Sequence, residues 1–118
     1  MRTFRFFDFP VYKAAVIFYK NILKILVKIS DLSLKDQLRR AALSIVLNIA
    51  EGSAMRSDKE FARYLEKSLG SANEVVACLD IMHQINIISE DLFRTMIAQS
   101  EKIAKQLGGF KKSLIQTL

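Results

Sequence analysis

Few residues in this chain are equipped for chemistry. One cysteine, Cys78, and one histidine, His83, could form a nucleophilic pair in which the imidazole draws the proton from the thiol. Lying five positions apart, they stand about 140° round a helix and share no face. They read instead as packing residues. Cys78 suits a small buried hydrophobe, and His83, on the apolar side near Leu79, a satisfied core or interface histidine. A lone cysteine closes no internal disulfide, and these two residues fall short of a structural zinc site. Gly52, Gly70, Gly108 and Gly109 match neither a dinucleotide fingerprint nor a phosphate-binding loop. No cofactor, metal or small-molecule substrate is indicated.

A second constellation is the stripe Gln37, Arg40, Ser44, Asn48 and Glu51. Glu51 could act there as a general base, but no nucleophile with a base and an orienting group accompanies it. The stripe reads better as a polar seam that sets helix register, and the chain as non-enzymatic. The next helix carries a matching stripe of Glu60, Arg63, Lys67, Ser71 and Glu74. A hairpin turning at Met55 and Arg56 places positions summing to about 111 side by side. This predicts that Arg40 reaches Glu74 and Glu51 reaches Arg63, because charges beside an apolar interface need partners. It also sets Gly70 against Ala41 as a point of close backbone approach, offsetting the cost of a glycine inside a helix.

The third pattern is basic. Lys13, Lys20, Lys24 and Lys28 fall on one helical stripe with Asn21 beside it. The net charge is +6. Such a stripe keeps an oily helix soluble, or, multiplied in an oligomer, neutralises phosphates and releases counterions. Arg2, Arg5, Lys111 and Lys112 extend the band if the chain ends lie beside this helix. Around the stripe the helix is apolar almost everywhere, well beyond the ~100° that a lone bundle buries. The excess predicts burial against another copy of the chain. No DNA-reading module and no stacking platform for single strands is visible.

The elements that must position these residues follow from the breakers. The 118 residues are 51% hydrophobic, with one proline and four glycines, which suits one compact all-α domain over 1–118. Pro10 suits a first helical turn. Ser33 with Asp36, and Ser57 with Glu60, resemble capping boxes, and Ser89 precedes Glu90 and Asp91 at a third start. Helices are predicted at about 10–29, 34–54, 58–86 and 90–107, with Gly108 and Gly109 breaking the last before a short basic tail. Short connections predict an antiparallel up-down-up-down four-helix bundle. No secretory signal opens the chain, and lysines interrupt the most apolar stretch, 11–29, so no membrane span is predicted and the cytoplasm is the expected location.

The run Gln37-Leu38-Arg39-Arg40-Ala41-Ala42, then Ser44-Ile45 and Asn48-Ile49-Ala50-Glu51-Gly52, resembles the signature of a bacterial family. These are small four-helix-bundle proteins first noticed as reading frames inside intervening sequences of 23S rRNA genes, sometimes called ribosomal proteins. Glu60-Phe61, Tyr64-Leu65, Gly70-Ser71 and Glu74 continue the match, which covers roughly 5–115. Two features depart from it: Tyr12 where relatives often place tryptophan, and Ser53-Ala54-Met55 where a glycine-rich turn is usual. The resemblance implies a bundle that assembles into a ring, a homopentamer, and brings no catalytic or binding residues with it. A bundle of similar shape is the nucleic-acid-binding accessory protein of diversity-generating retroelements. The leading expectation is thus sequence-tolerant binding of RNA or DNA through Lys13, Lys20, Lys24, Lys28, Lys111 and Lys112. The rival is a protein–protein scaffold whose lysines only solubilise. Arg40, Ser44, Asn48, Glu51, Arg63 and Glu74 are expected to be structural.

Overall fold

A computed structural model describes residues 3–116. A 3-10 turn, Arg5–Asp8, leads into four helices: α1 (Pro10–Leu26), α2 (Leu32–Ser53), α3 (Asp58–Gln84) and α4 (Glu90–Ile115). No strand occurs among the described residues. Gln37 meets Glu74 and Ser44 meets Ser71; Phe61 meets Phe110 and His83 meets Glu90.

Most helix boundaries trace to identifiable groups. Pro10 opens α1, where its missing N–H costs nothing. Ser57 Oγ accepts the Glu60 N–H, and Ser89 Oγ accepts the Leu92 N–H, both at 3.1 Å. α2 departs from expectation. Asp31, not Ser33, is its cap, its carboxylate accepting the Leu34 N–H at 3.0 Å, so the helix begins two residues early. Asp36 is thereby free of capping and binds Arg39 and Arg40, each at 2.9 Å. α3 stops at Gln84 because Asn86 turns the chain through φ 62°, a left-handed conformation that asparagine tolerates.

The largest departure is α4, which runs straight through Gly108 and Gly109 to Ile115. Leu107 is fully buried, Phe110 packs edge-on to Phe9 and Phe61 at 5.2 Å, and Lys111 Nζ bonds Glu66 at 2.9 Å. These anchors offset the roughly 1 kcal/mol that each interior glycine costs. α1, by contrast, ends at Leu26 rather than Ile29.

The core is one cluster drawn from all four helices, including Phe18, Ile22, Leu38, Ile45, Leu65, Leu79, Met82 and Leu107. It hides more of α1 than the sequence predicts. Val11, Ala15, Phe18, Ile22, Ile25 and Leu26 are buried, and Tyr12, Ala14, Val16 and Tyr19 pack partly against the core. On α1 only Ile17 and Leu23 remain as exposed large apolar residues, with Val27 just beyond its end. Flanked by α2 and α4, α1 buries two sides rather than one. No helix among the described residues is long and apolar enough to cross a membrane.

Candidate binding faces: a closed seam and an open groove

The α2–α3 seam is polar but contains few charges. Ser68, fully buried, donates its hydroxyl to the Ile45 carbonyl at 2.9 Å. Ser71 Oγ bonds Ser44 Oγ at 2.8 Å, and the Asn48 amide donates to the Ser44 carbonyl and hydroxyl at 2.9 and 3.0 Å. At one end the Gln37 amide donates to the Glu74 carboxylate. No buried side-chain N or O atom lacks a partner among the described residues. Satisfied hydroxyls and amides of this kind fix register without the desolvation cost of ions.

The two predicted ion pairs do not form. Arg40 turns outward to Asp36, one helical turn back, an arrangement that leaves its charge in water. Glu74 goes to Gln37 instead. Glu51 and Arg63 are both exposed, and neither has an ion pair among the described residues. At the seam's margin full hydration is available, so the charges stay there. The close approach is also relocated. A Cβ on Gly70 would meet open space, whereas one on Gly52 would lie 2.6 Å from the Tyr64 Cβ and 2.8 Å from the Phe61 ring. Gly52 is the position where α2 can come against α3 only without a side chain.

Cys78 and His83 serve separate purposes. Burial pushes the Cys78 thiol up, and nearby Glu74 adds to the effect, the opposite of what activates a nucleophile. The His83 ring stacks on Phe93 with centroids 4.4 Å apart, and its Nε2 meets Glu90. Arg94 first, and His83 after it, hold the Glu90 carboxyl below the ordinary carboxylate range.

Lys13, Lys20, Lys24 and Lys28 are all exposed, and none pairs with an acid among the described residues. The chain ends do not extend their band as expected. Lys111 is half-buried against Glu66 and, with Lys112, lines a separate cleft beside Leu69 and Ile115. Arg5 folds under the bundle, its Nε donating to the Ser53 carbonyl at 2.9 Å and its guanidinium lying over the Phe9 and Phe61 rings. Arg2 lies outside the described residues. The band is extended instead by α4. Three clefts of about 400, 200 and 310 Å³ follow one another along the α1–α4 line. Lys24, Lys28 and Lys102 line them, and no aspartate or glutamate does. The Asn21 amide bridges the groove to Gln99 Oε1 at 3.0 Å. The sequence carried a signal for this wall, because Thr95, Gln99, Lys102 and Gln106 recur at the spacing of one helical face.

A family model described as 23S rRNA-intervening sequence protein matches residues 8–109. The chain belongs to this family. Its fold is similar to that of a crystal structure from Bacteroides thetaiotaomicron VPI-5482, a protein with unknown function from the S23 ribosomal protein family. The TM-score is 0.80 at 23% identity, covering 86% of this chain and 98% of that one. No curated protein matches the sequence. Across the α2–α3 seam Gln37 bonds Glu74, Ser44 bonds Ser71, and Gly52 lies against Phe61 and Tyr64, while Asn48 bonds Ser44 within α2. In this 23S rRNA-intervening sequence protein the α2–α3 residues serve packing, and the lysine groove lies between α1 and α4.

Proposed function

We propose that this protein is a non-enzymatic binding module that self-associates and offers its α1–α4 face to an anionic macromolecule. The observation that carries the reading is the exposed set Lys13, Lys20, Lys24 and Lys28, which have no acid partner among the described residues and are joined by Lys102 across the groove. Unpaired cations that share a face raise the local concentration of polyanions. RNA is the first partner to test. An antiparallel up-down-up-down bundle assembling into a ring would multiply the band. Support for self-association comes from apolar residues left in water beside α1: Val27 is 82% exposed and Leu32 77%. A patch of this kind costs solubility unless another copy covers it.

The test is binding of a mixed-sequence single-stranded RNA, with solution mass measured in parallel. Affinity should fall linearly on logarithmic axes as salt rises, and Lys20→Glu with Lys24→Glu should remove it. Wild-type protein should run as an oligomer that Val27→Asp dissociates. Absence of RNA binding at low salt leaves the protein-scaffold reading, and a wild-type monomer removes self-association.

A further inference from the structure

We propose that the α1–α4 groove takes its RNA as a single strand, with one base stacked on the Phe9 and Phe110 rings at the groove's end. This rests on the basic-face reading above and deepens it by naming the form of nucleic acid that the face accepts.

The cleft at that end, about 400 Å³, is lined by Phe9, Pro10, Val11, Gln106, Gly109 and Phe110. Val11 is a core residue and serves only as floor. Phe9 and Phe110 are half-buried, meet edge-to-face at 5.2 Å, and are both held by the buried Phe61. They are fixed rings with surface left over, and stacking needs only a π-face, which every base has. Gly109 leaves the α4 wall open, since a Cβ there would meet nothing within 4 Å. Gln106 places beside the rings an amide that can donate to or accept from a base edge. The sequence shows no such platform because its two rings come from opposite ends of the chain.

Charge selects a nucleic acid for this cleft. No aspartate or glutamate lines it, and Asp8, next to Phe9 in the chain, is outside the lining. The exposed Lys13 stands one turn along α1, its N–H bonding the Phe9 carbonyl at 3.2 Å. The Arg5 guanidinium lies 5.7 Å from the Phe9 ring centroid. Gln106 also lines the next cleft, together with Lys102, and Asn21 and Gln99 join that cleft to the third, with Lys24 and Lys28. The rings therefore end a continuous cationic track. A second copy docked here face to face would oppose two such tracks, and like charges across an interface repel.

The same track selects a single strand over a duplex. The Asn21–Gln99 hydrogen bond at 3.0 Å divides the groove, so a rigid rod cannot lie along its floor. A duplex keeps its bases inside and reaches the lysines but not the rings. A flexible strand crosses the bridge with its phosphates on the lysines and turns an unstacked base into the end cleft.

The experiment measures binding to the full chain of a mixed-sequence single-stranded RNA of about eight nucleotides, an abasic strand of equal length, and the RNA's duplex. The single strand should bind about tenfold tighter than the abasic one. Gly109→Leu fills the cleft from an exposed position and favours the helix. It should weaken the single strand about tenfold, to the abasic level, and leave the duplex unchanged. Phe110→Leu, which keeps apolar volume but removes the ring, should reproduce that loss. Lys13→Gln should weaken both strands alike and reduce the salt slope by about one. Equal binding of the single and abasic strands, or indifference of the single strand to Gly109→Leu, overturns the proposal and leaves a face that reads phosphates alone. Loss of oligomer mass in Gly109→Leu means that a second copy uses the cleft and also overturns it. If no strand or duplex binds at low salt, the basic-face reading falls and this one with it.

Discussion

The α2–α3 seam and the α1–α4 groove belong to one bundle and differ in how their walls are built. Between α2 and α3 the contacting positions are Ser44, Ser68, Ser71 and Gly52, whose small groups either bond inward or leave room for a ring. Between α1 and α4 the facing positions are Asn21, Gln99, Lys102 and Gln106. Long side chains with solvated heads hold a seam open to water, because their stems pack while their polar ends cannot be buried unpaired. Aromatic rings tie the groove at its end, where Phe9, Phe61 and Phe110 pack together, and one amide bridge ties its middle. Small, internally satisfied residues thus close a seam, and long polar ones leave a surface.

Substitutions at the two places should separate in magnitude and in sign. The largest effect is expected where they meet. Phe61→Ala, at a ring 1% exposed, should cost about 3–5 kcal/mol in chemical denaturation. Gly52→Ala should cost about 1–3 kcal/mol by overpacking, since its Cβ would lie 2.6 Å from the Tyr64 Cβ. A neutral result there would show that α2 and α3 can part at no cost. Gly70→Ala should do the reverse, adding about 0.5–1 kcal/mol, because open space surrounds it and alanine favours the helix. In the groove, Ile17→Ser and Lys102→Gln should each change stability by no more than about 0.5 kcal/mol. A larger loss would mean that the groove is part of the fold rather than a surface. The smallest effect concerns Glu90, held below the ordinary carboxylate range chiefly by Arg94. A lowered carboxyl contributes stability above its unfolded value and loses it as pH falls through the folded value. Arg94→Gln should therefore raise the Glu90 titration midpoint followed by NMR.

Local chemistry is legible where one group decides the outcome. Ser57, Ser89 and Pro10 mark helix starts because a cap or a missing N–H acts within one turn. At α2 the sequence offers two good capping residues, Asp31 and Ser33, two positions apart, and the helix uses Asp31. The seam's location was legible from the stripes of α2 and α3, but its pairings were not. Arg40 and Glu74 each found another partner, and hydroxyls took the place assigned to ions.

By itself, the sequence determined that this is a four-helix chain, that α2 and α3 share a polar seam, and that Lys13, Lys20, Lys24 and Lys28 fall on one stripe. Periodicity and breakers are properties of single helices and need no neighbour to be read. Tertiary structure decided that α4 continues through two glycines, that Gly52 rather than Gly70 is the tight position, and that Lys111 is paired while Lys102 joins the groove. Each of those outcomes depends on what another helix presents at one height, and helix spacing and rotation place that partner only when the bundle packs.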